Sequence, residues 1–274
     1  MLMNFATSTS SAYGWLMLAG IFASIVLWSR LAKRDSRLVL IYVAALAGAF
    51  LGAKLVYLGA EGWLHWHDAN RWIVLATGKS ITGALLGGYA GVEIGKRMLG
   101  YRSATGDWFA LIAPVSIVLG RIGCALHGCC LGRVCAASWF TVNDAVGVAR
   151  WPAVWVELLF NAVMLGAFLF IQGRARHSVL AALGPESPGA HGVTRPAASP
   201  QLSEAIYVLR GQLFHVYLMA YGLFRFAHEF FRATPQILGP ISGYQIAALG
   251  LVVLGAVGFA RRGRAARAGT LITA

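Results

Sequence analysis

Bands of apolar sequence, each long enough to cross a lipid bilayer, recur along the whole of this 274-residue chain. A membrane-spanning helix needs about 20 mostly apolar residues. Such bands run near 12–30, 38–59, 79–98, 107–126, 152–172, 212–232 and 241–260. In hydrocarbon the backbone must satisfy its own hydrogen bonds, so bands of this length are helices. A transmembrane barrel needs segments of about ten residues with alternating polarity, and the sequence has none. The charged share agrees, at 12% against roughly 25% in soluble domains. The prediction is an all-α membrane protein, a bundle of about seven transmembrane helices in one integral membrane domain covering 1–274. The third band is interrupted by glycines. Those at 83, 87, 91 and 95 recur at every fourth position, the spacing of close helix–helix packing.

A net charge of +13 would suit nucleic acid if it lay on one soluble face. Instead it is distributed by connection. Arg30, Lys33, Arg34 and Arg37 lie between bands one and two, and Lys96, Arg97 and Arg102 between three and four. Arg174, Arg176, Arg195 and Arg210 lie between five and six, and Arg261, Arg262, Arg264 and Arg267 follow band seven. The other connections hold only Arg71, Lys79, Arg133, Arg150 and Arg232. By the positive-inside rule the N-terminus is outside and the C-terminus is in the cytoplasm, with which an odd number of spans agrees. No nucleic-acid partner is expected. Band one has no Lys or Arg before it, so it reads as a retained helix rather than a cleaved signal. Residues 177–205, rich in Pro, Gly, Ser and Ala over 184–200, read as a flexible cytoplasmic loop within the domain.

Ionisable residues inside spans are costly and mark function. Here they are Lys54, Glu93, Arg121, Glu157, Arg225 and Glu229. With the topology applied, all but Glu93 fall toward the outer side, and Tyr13 lies at the outer mouth of the first span. Lys54, Arg121 and Arg225 then face Glu157 and Glu229, leaving one cation over. Either internal pairing absorbs these charges or an anionic ligand completes the balance. Arginine suits phosphate because its planar fork donates two parallel hydrogen bonds, and an outer-leaflet phospholipid is the anion at hand. Tyr221, Arg225 and Glu229 stack on one helix face at i, i+4 and i+8. Tyr221 is a candidate to orient a substrate oxygen; Glu229 is either a partner for Arg225 or a base. All four cysteines, Cys124, Cys129, Cys130 and Cys135, fall in one short stretch with His127. Disulfides, a metal held by Cys124, His127, Cys129 and Cys130, and free thiols all remain open; their spacing lacks the paired C-x2-C pattern of zinc sites. His127 is a candidate general base or an interfacial polar residue. His65 and His67, among Trp63, Trp66 and Trp72, read as part of an aromatic belt.

Several of these segments together resemble the bacterial prolipoprotein diacylglyceryl transferase family. Tyr13-Gly14-Trp15-Leu16-Met17 is similar to the family's entry to its first helix, and Gly52-Ala53-Lys54 to its Gly-Gly-Arg segment. Gly120-Arg121-Ile122-Gly123 through Gly132-Arg133 resembles the signature Gly-Arg-Ile-Gly-Asn-Phe-x-Asn-Gly-Glu-x-x-Gly-Arg. Tyr221-Gly222 through Arg225, Glu229 and Arg232 resembles a second motif, and Gln245 also fits. The resemblance implies transfer of a diacylglyceryl group from phosphatidylglycerol to the thiol of a prolipoprotein lipobox cysteine, at the outer face of the bacterial cytoplasmic (inner) membrane, by a multi-pass monomer without cofactor or metal. It implies catalytic roles for Arg225, Tyr221, Glu229 and His127, and substrate-binding roles for Arg121, Gly120, Tyr13, Lys54, Gly132, Arg133 and Gln245. The departures are local. A family histidine is Thr82 here, and the signature's two asparagines and glutamate are Cys124, His127 and Cys129. The alternatives are a membrane thiol or metal protein on the same scaffold and a non-catalytic lipid-binding module.

Overall fold

The structure is a computed structural model, and it describes residues 10–33, 35–183, 209 and 211–267. A helix lies at each position where the sequence predicts a span. These are α1 (Ser10–Ala32), α2 (Arg37–Ala60), α4 (Ile81–Met98), α5 (Gly106–His127), α6 (Ala153–Leu183), α7 (Leu213–Glu229) and α8 (Gly243–Arg267). Helix α3 (Arg71–Thr77) and a single 3-10 turn, Gly62–His65, fill the connection from α2 to α4. Among the described residues, four stretches are long and apolar enough to cross a membrane: Arg37–Ala60, Gly106–His127, Ala153–Gly173 and Gly243–Arg264. Large apolar side chains such as Phe22, Phe50, Leu55, Leu159 and Val253 point outward from these helices and from α1. That is the reverse of a soluble bundle and suits a lipid surface. The predicted loop 177–205 begins inside α6, which runs to Leu183; 184–205 lies outside the described residues.

Helices α2 and α4 pack backbone to backbone. A Cβ built at Gly83 would strike the Gly52 carbonyl, one at Gly87 the Gly48 carbonyl, and one at Gly91 the Ala44 carbonyl. The four-residue glycine repeat is thus the contact face of α4, as its spacing predicts. Elsewhere polar clips join the helices. Trp28 Nε1 donates to the Leu38 carbonyl at 2.7 Å, tying α1 to α2. Asp107, in the first turn of α5, accepts the backbone N–H of Gly211 at 2.7 Å and of Leu213 at 3.3 Å. Gly211 lies just before α7, and Leu213 begins it with an N–H that has no partner within the helix. The main core cluster joins α4, α5, α6, α7 and α8 through Leu85, Ile117, Phe168, Tyr217, Leu218 and Leu251.

At the end of the bundle where α2, α5 and α7 finish, the connections carry two small antiparallel strand pairs. They are β1 (Val142–Asn143) with β2 (Ala149–Arg150), and β3 (Gln236–Leu238) with β4 (Ile241–Ser242). Gly132 bridges to Arg232 and lies against the Trp151 and Phe231 carbonyls, so closely that a Cβ there would strike both. Arg133 donates from its backbone N to the Phe231 carbonyl at 2.9 Å and from Nε to the Arg232 carbonyl at 3.0 Å. This clasp fixes the segment after α7, and with it Arg232.

Candidate active site

The site is built from the ends of three helices. Arg121 sits near the end of α5, Glu157 near the start of α6, and Arg225 and Glu229 in the last two turns of α7. Chain direction alternates, so these ends meet at one depth. Glu157 is the hub and has no exposed surface. It receives Arg121 Nη2 at 2.7 Å, the Tyr221 hydroxyl at 2.7 Å and Arg225 Nη1 at 3.5 Å, with Arg232 Nη1 at 3.8 Å. Glu229 meets Arg225 Nη2 at 2.9 Å and Arg232 Nε at 3.7 Å. Three guanidiniums therefore face two carboxylates, all of them buried or nearly so. The Nε atoms of Arg121, Arg225 and Arg232, and Nη1 of Arg232, are buried without hydrogen-bond partners. Glu229 Oε1 and Oε2 are buried in the same state. Buried polar atoms left so are expensive, and guanidinium donors of this kind have the chemistry to hold an acceptor-rich anion.

Arg121, Arg225 and Arg232 also form one wall of a cavity of about 810 Å³. From there the cavity runs between helices past Leu85, Ile117, Val92 and Phe109. It is charged at one end and apolar along its length, the shape of an amphiphile. Gly120 lines it, with open space where a Cβ would stand. Glu61, Lys79 and Ser80 line it near its polar end, and the Tyr244 hydroxyl donates to Glu61 at 2.7 Å.

The expected site residues separate into groups. Arg121, Glu157, Tyr221, Arg225 and Glu229 come together. Tyr221 is fully buried on Glu157 and is not part of the cavity wall. Lys54, counted as the third cation, is elsewhere: its Nζ donates to the carbonyls of Leu75, Ala76 and Gly78 at 2.7, 2.5 and 2.9 Å. It ties down the end of α3. Arg232 takes its place as the third cation. Sequence reading put Arg232 in a connection, although 225, 229 and 232 follow the i, i+4, i+7 pattern of one helix face. The turn continues past α7, with Arg232 N donating to the Glu229 carbonyl at 3.1 Å. Gly132 and Arg133 form the clasp rather than the wall. Gln245 is buried, accepting from Ser242 N at 2.8 Å and donating to the Phe226 carbonyl at 3.2 Å, and so joins α7 to α8. His127 is exposed at the end of α5 and is absent from the cavity wall. Tyr13 is in the first turns of α1, but its side chain lies outside the described residues. Thr82 is buried with its hydroxyl 2.7 Å from that of Ser80. Glu61, Lys79 and Tyr244 were missed; the pairing of Glu61 with Tyr244 joins positions far apart in the chain and leaves no local signal.

Comparison with known proteins agrees with the assembled motifs. Residues 1–183 and 201–261 match the family model described as prolipoprotein diacylglyceryl transferase. The chain is 30% identical over 243 residues to the phosphatidylglycerol–prolipoprotein diacylglyceryl transferase of Geobacter sulfurreducens, covering 84% of this chain and 81% of that one. It is 28% identical over 264 residues to the protein of the same name from Gloeobacter violaceus, covering 90% and 86%. It is 26% identical over 246 residues to that of Mannheimia succiniciproducens, covering 85% and 80%. With its charged helix ends, its amphiphile-shaped cavity and its glycine-packed helix pair, this chain belongs to the prolipoprotein diacylglyceryl transferase family.

Proposed function

We propose that the chain moves a diacylglyceryl group from phosphatidylglycerol to the cysteine thiol of a prolipoprotein lipobox, as a multi-pass monomer of the bacterial cytoplasmic membrane. The observation that carries this is the arginine wall of Arg121, Arg225 and Arg232 at the head of an apolar cavity. A phosphodiester headgroup with a charge of about −1 balances the one cation that Glu157 and Glu229 leave over. The acyl chains take the apolar length. The thiolate attacks the glycerol carbon that bears the phosphate: a C–S bond forms and the C–O bond breaks. Glycerol phosphate leaves with the electron pair, and its negative charge rises as it does. Arginines already fixed by Glu157 stabilise that rise without reorganising, usually the largest catalytic term.

Tyr221 acts as a positioning residue that holds Glu157. Thr82 has no basic nitrogen, and Glu229 is occupied by Arg225 and Arg232. Glu61, on the cavity wall and oriented by Tyr244, takes the thiol proton. Helices α1, α4 and α7 complete a seven-span bundle, N-terminus outside, with the arginine wall at outer-leaflet depth. The site is assembled within one chain, which supports the monomer.

The test is a mass spectrum of a lipobox peptide incubated with purified protein and phosphatidylglycerol. A diacylglyceryl mass added to the cysteine, with glycerol phosphate released, is expected. A second reading, a lipid-binding module without transfer, is favoured by the hydroxyl of Thr82 being engaged with Ser80. Phosphatidylglycerol co-purifying intact, with no modified peptide, would establish it instead.

A further inference from the structure

Three of the four cysteines converge beside the arginine wall. Cys124 lies in the last turn of α5, and Gly128 closes the helix in the left-handed region at φ 68°. In that closure the N–H of Cys129 returns to the carbonyl of Cys124 at 3.2 Å, so Cys129 is folded back over Cys124. Cys130 then takes φ 60°, also left-handed, a conformation uncommon for residues other than glycine and worth attention where it occurs. Together these turns place the sulfurs of Cys124, Cys129 and Cys130 within 4.8 Å of one another. All three are thiols rather than disulfides. Cys135 belongs to the next segment, with its backbone N on the Ala149 carbonyl, and is outside the cluster.

We infer that Cys124, Cys129 and Cys130 form a three-sulfur site for a thiophilic d10 cation, copper(I) being the ion that fits. Metal–sulfur bonds of about 2.3 Å around a trigonal ion put the sulfurs about 4.0 Å apart, so the cluster needs only small movements. Thiolates select soft ions. No carboxylate or imidazole joins the cluster as a fourth ligand among the described residues. Zinc in structural sites asks for four ligands, whereas three suffice for copper(I). Charge favours the same ion. A monovalent cation on three thiolates leaves an anionic centre, and Arg121 lies against it, with Nη1 3.9 Å from Cys124 Sγ. Three sulfurs also suit an ion better than a disulfide, which would leave one thiol over.

The test uses the full chain, reduced and in lipid nanodiscs, titrated with copper(I) against the chelator bicinchoninate. One equivalent held in competition is expected. X-ray absorption should show sulfur neighbours only, at about 2.3 Å. Cys124→Ser, Cys129→Ser and Cys130→Ser should each weaken binding by at least tenfold, while Cys135→Ser matches the parent. Thermal unfolding without copper checks that each variant is folded. The site is refuted if no copper is retained above a nanodisc blank, or if Cys135→Ser weakens binding as much as the others. Tighter binding of zinc than of copper(I) overturns the choice of ion. A disulfide within the cluster, found by alkylating the protein in the membrane before isolation, overturns the site.

Discussion

Glu157 joins four side chains contributed by α5, α7 and the segment after α7, so its removal affects all of them. In Glu157→Gln the three guanidiniums keep only Glu229 as a counter-charge. Breaking a buried pair in this way costs about 3–5 kcal/mol. A marked fall in the midpoint of thermal unfolding in detergent is the expected result; an unchanged midpoint would show that Glu157 is not the hub. Arg225→Lys keeps a charge but loses the planar fork that spans Glu157 and Glu229. Its transfer to a lipobox peptide should fall by about 10²–10³, the usual effect of losing one donor to a developing anion. Tyr221→Phe removes one hydrogen bond and should cost less. The ionisable residues of this site were legible in the sequence because an apolar band is a background against which a charge stands out. Arg232 was not, because it is the last residue of its band and was counted with the connection that follows. Lys54 misled in the opposite sense: its partners are backbone carbonyls at the end of α3, and a sequence does not show where carbonyls point.

At the scale of elements, the glycine repeat makes a sharp prediction because its glycines are not equivalent. Gly87→Ala drives a methyl group into the Gly48 carbonyl, and both partners are helix backbone that cannot yield without separating α2 from α4. Gly166→Ala in α6 meets nothing within 4 Å and should stabilise by up to about 1 kcal/mol through helix propensity. Opposite shifts in thermal midpoint would confirm the assignment of the packing face; equal shifts would refute it. Helix positions and this face were readable because both are periodic. The hairpin of β1 and β2 was not, since its order rests on one side chain. Asp144 accepts Arg150 Nε at 2.7 Å and the backbone N–H groups of Val146 and Val148 at 3.1 and 2.9 Å. Arg150, and then these amides, hold its carboxyl below the ordinary value of 3.8. A depressed carboxyl stabilises the fold above its unfolded value, and that contribution is lost as pH falls through the lower folded one. Amide exchange at Val146 and Val148, corrected for intrinsic pH dependence, should therefore rise as pH drops below about 4. Asp144→Asn should show the same loosening at pH 7.

At the scale of the whole molecule, the arginine wall and the basic connections lie at opposite ends of the bundle, and that separation makes orientation testable. The ends of α5 and α7, with the clasp around Arg232, gather at one end. Lys96, Arg97 and the basic run after Phe259 gather at the other. Order of helices and distribution of charge were both legible in the sequence. The cavity was not, because its walls come from α1, α2, α4, α5, α7 and the start of α8, and its width depends on how α2 and α4 meet. If the positively charged connections are cytoplasmic, a fluorescent protein that matures only in the cytoplasm should glow when fused after residue 267. Alkaline phosphatase, active only outside, should be inactive there and active when inserted near Gly147, at the tip of the hairpin. Membrane-impermeant maleimide should then label Cys135 in whole spheroplasts. The reverse pattern would put the arginine wall in the inner leaflet, away from any lipobox thiol exported across the membrane. Transfer at the outer face would then be impossible, however well the cavity bound its lipid.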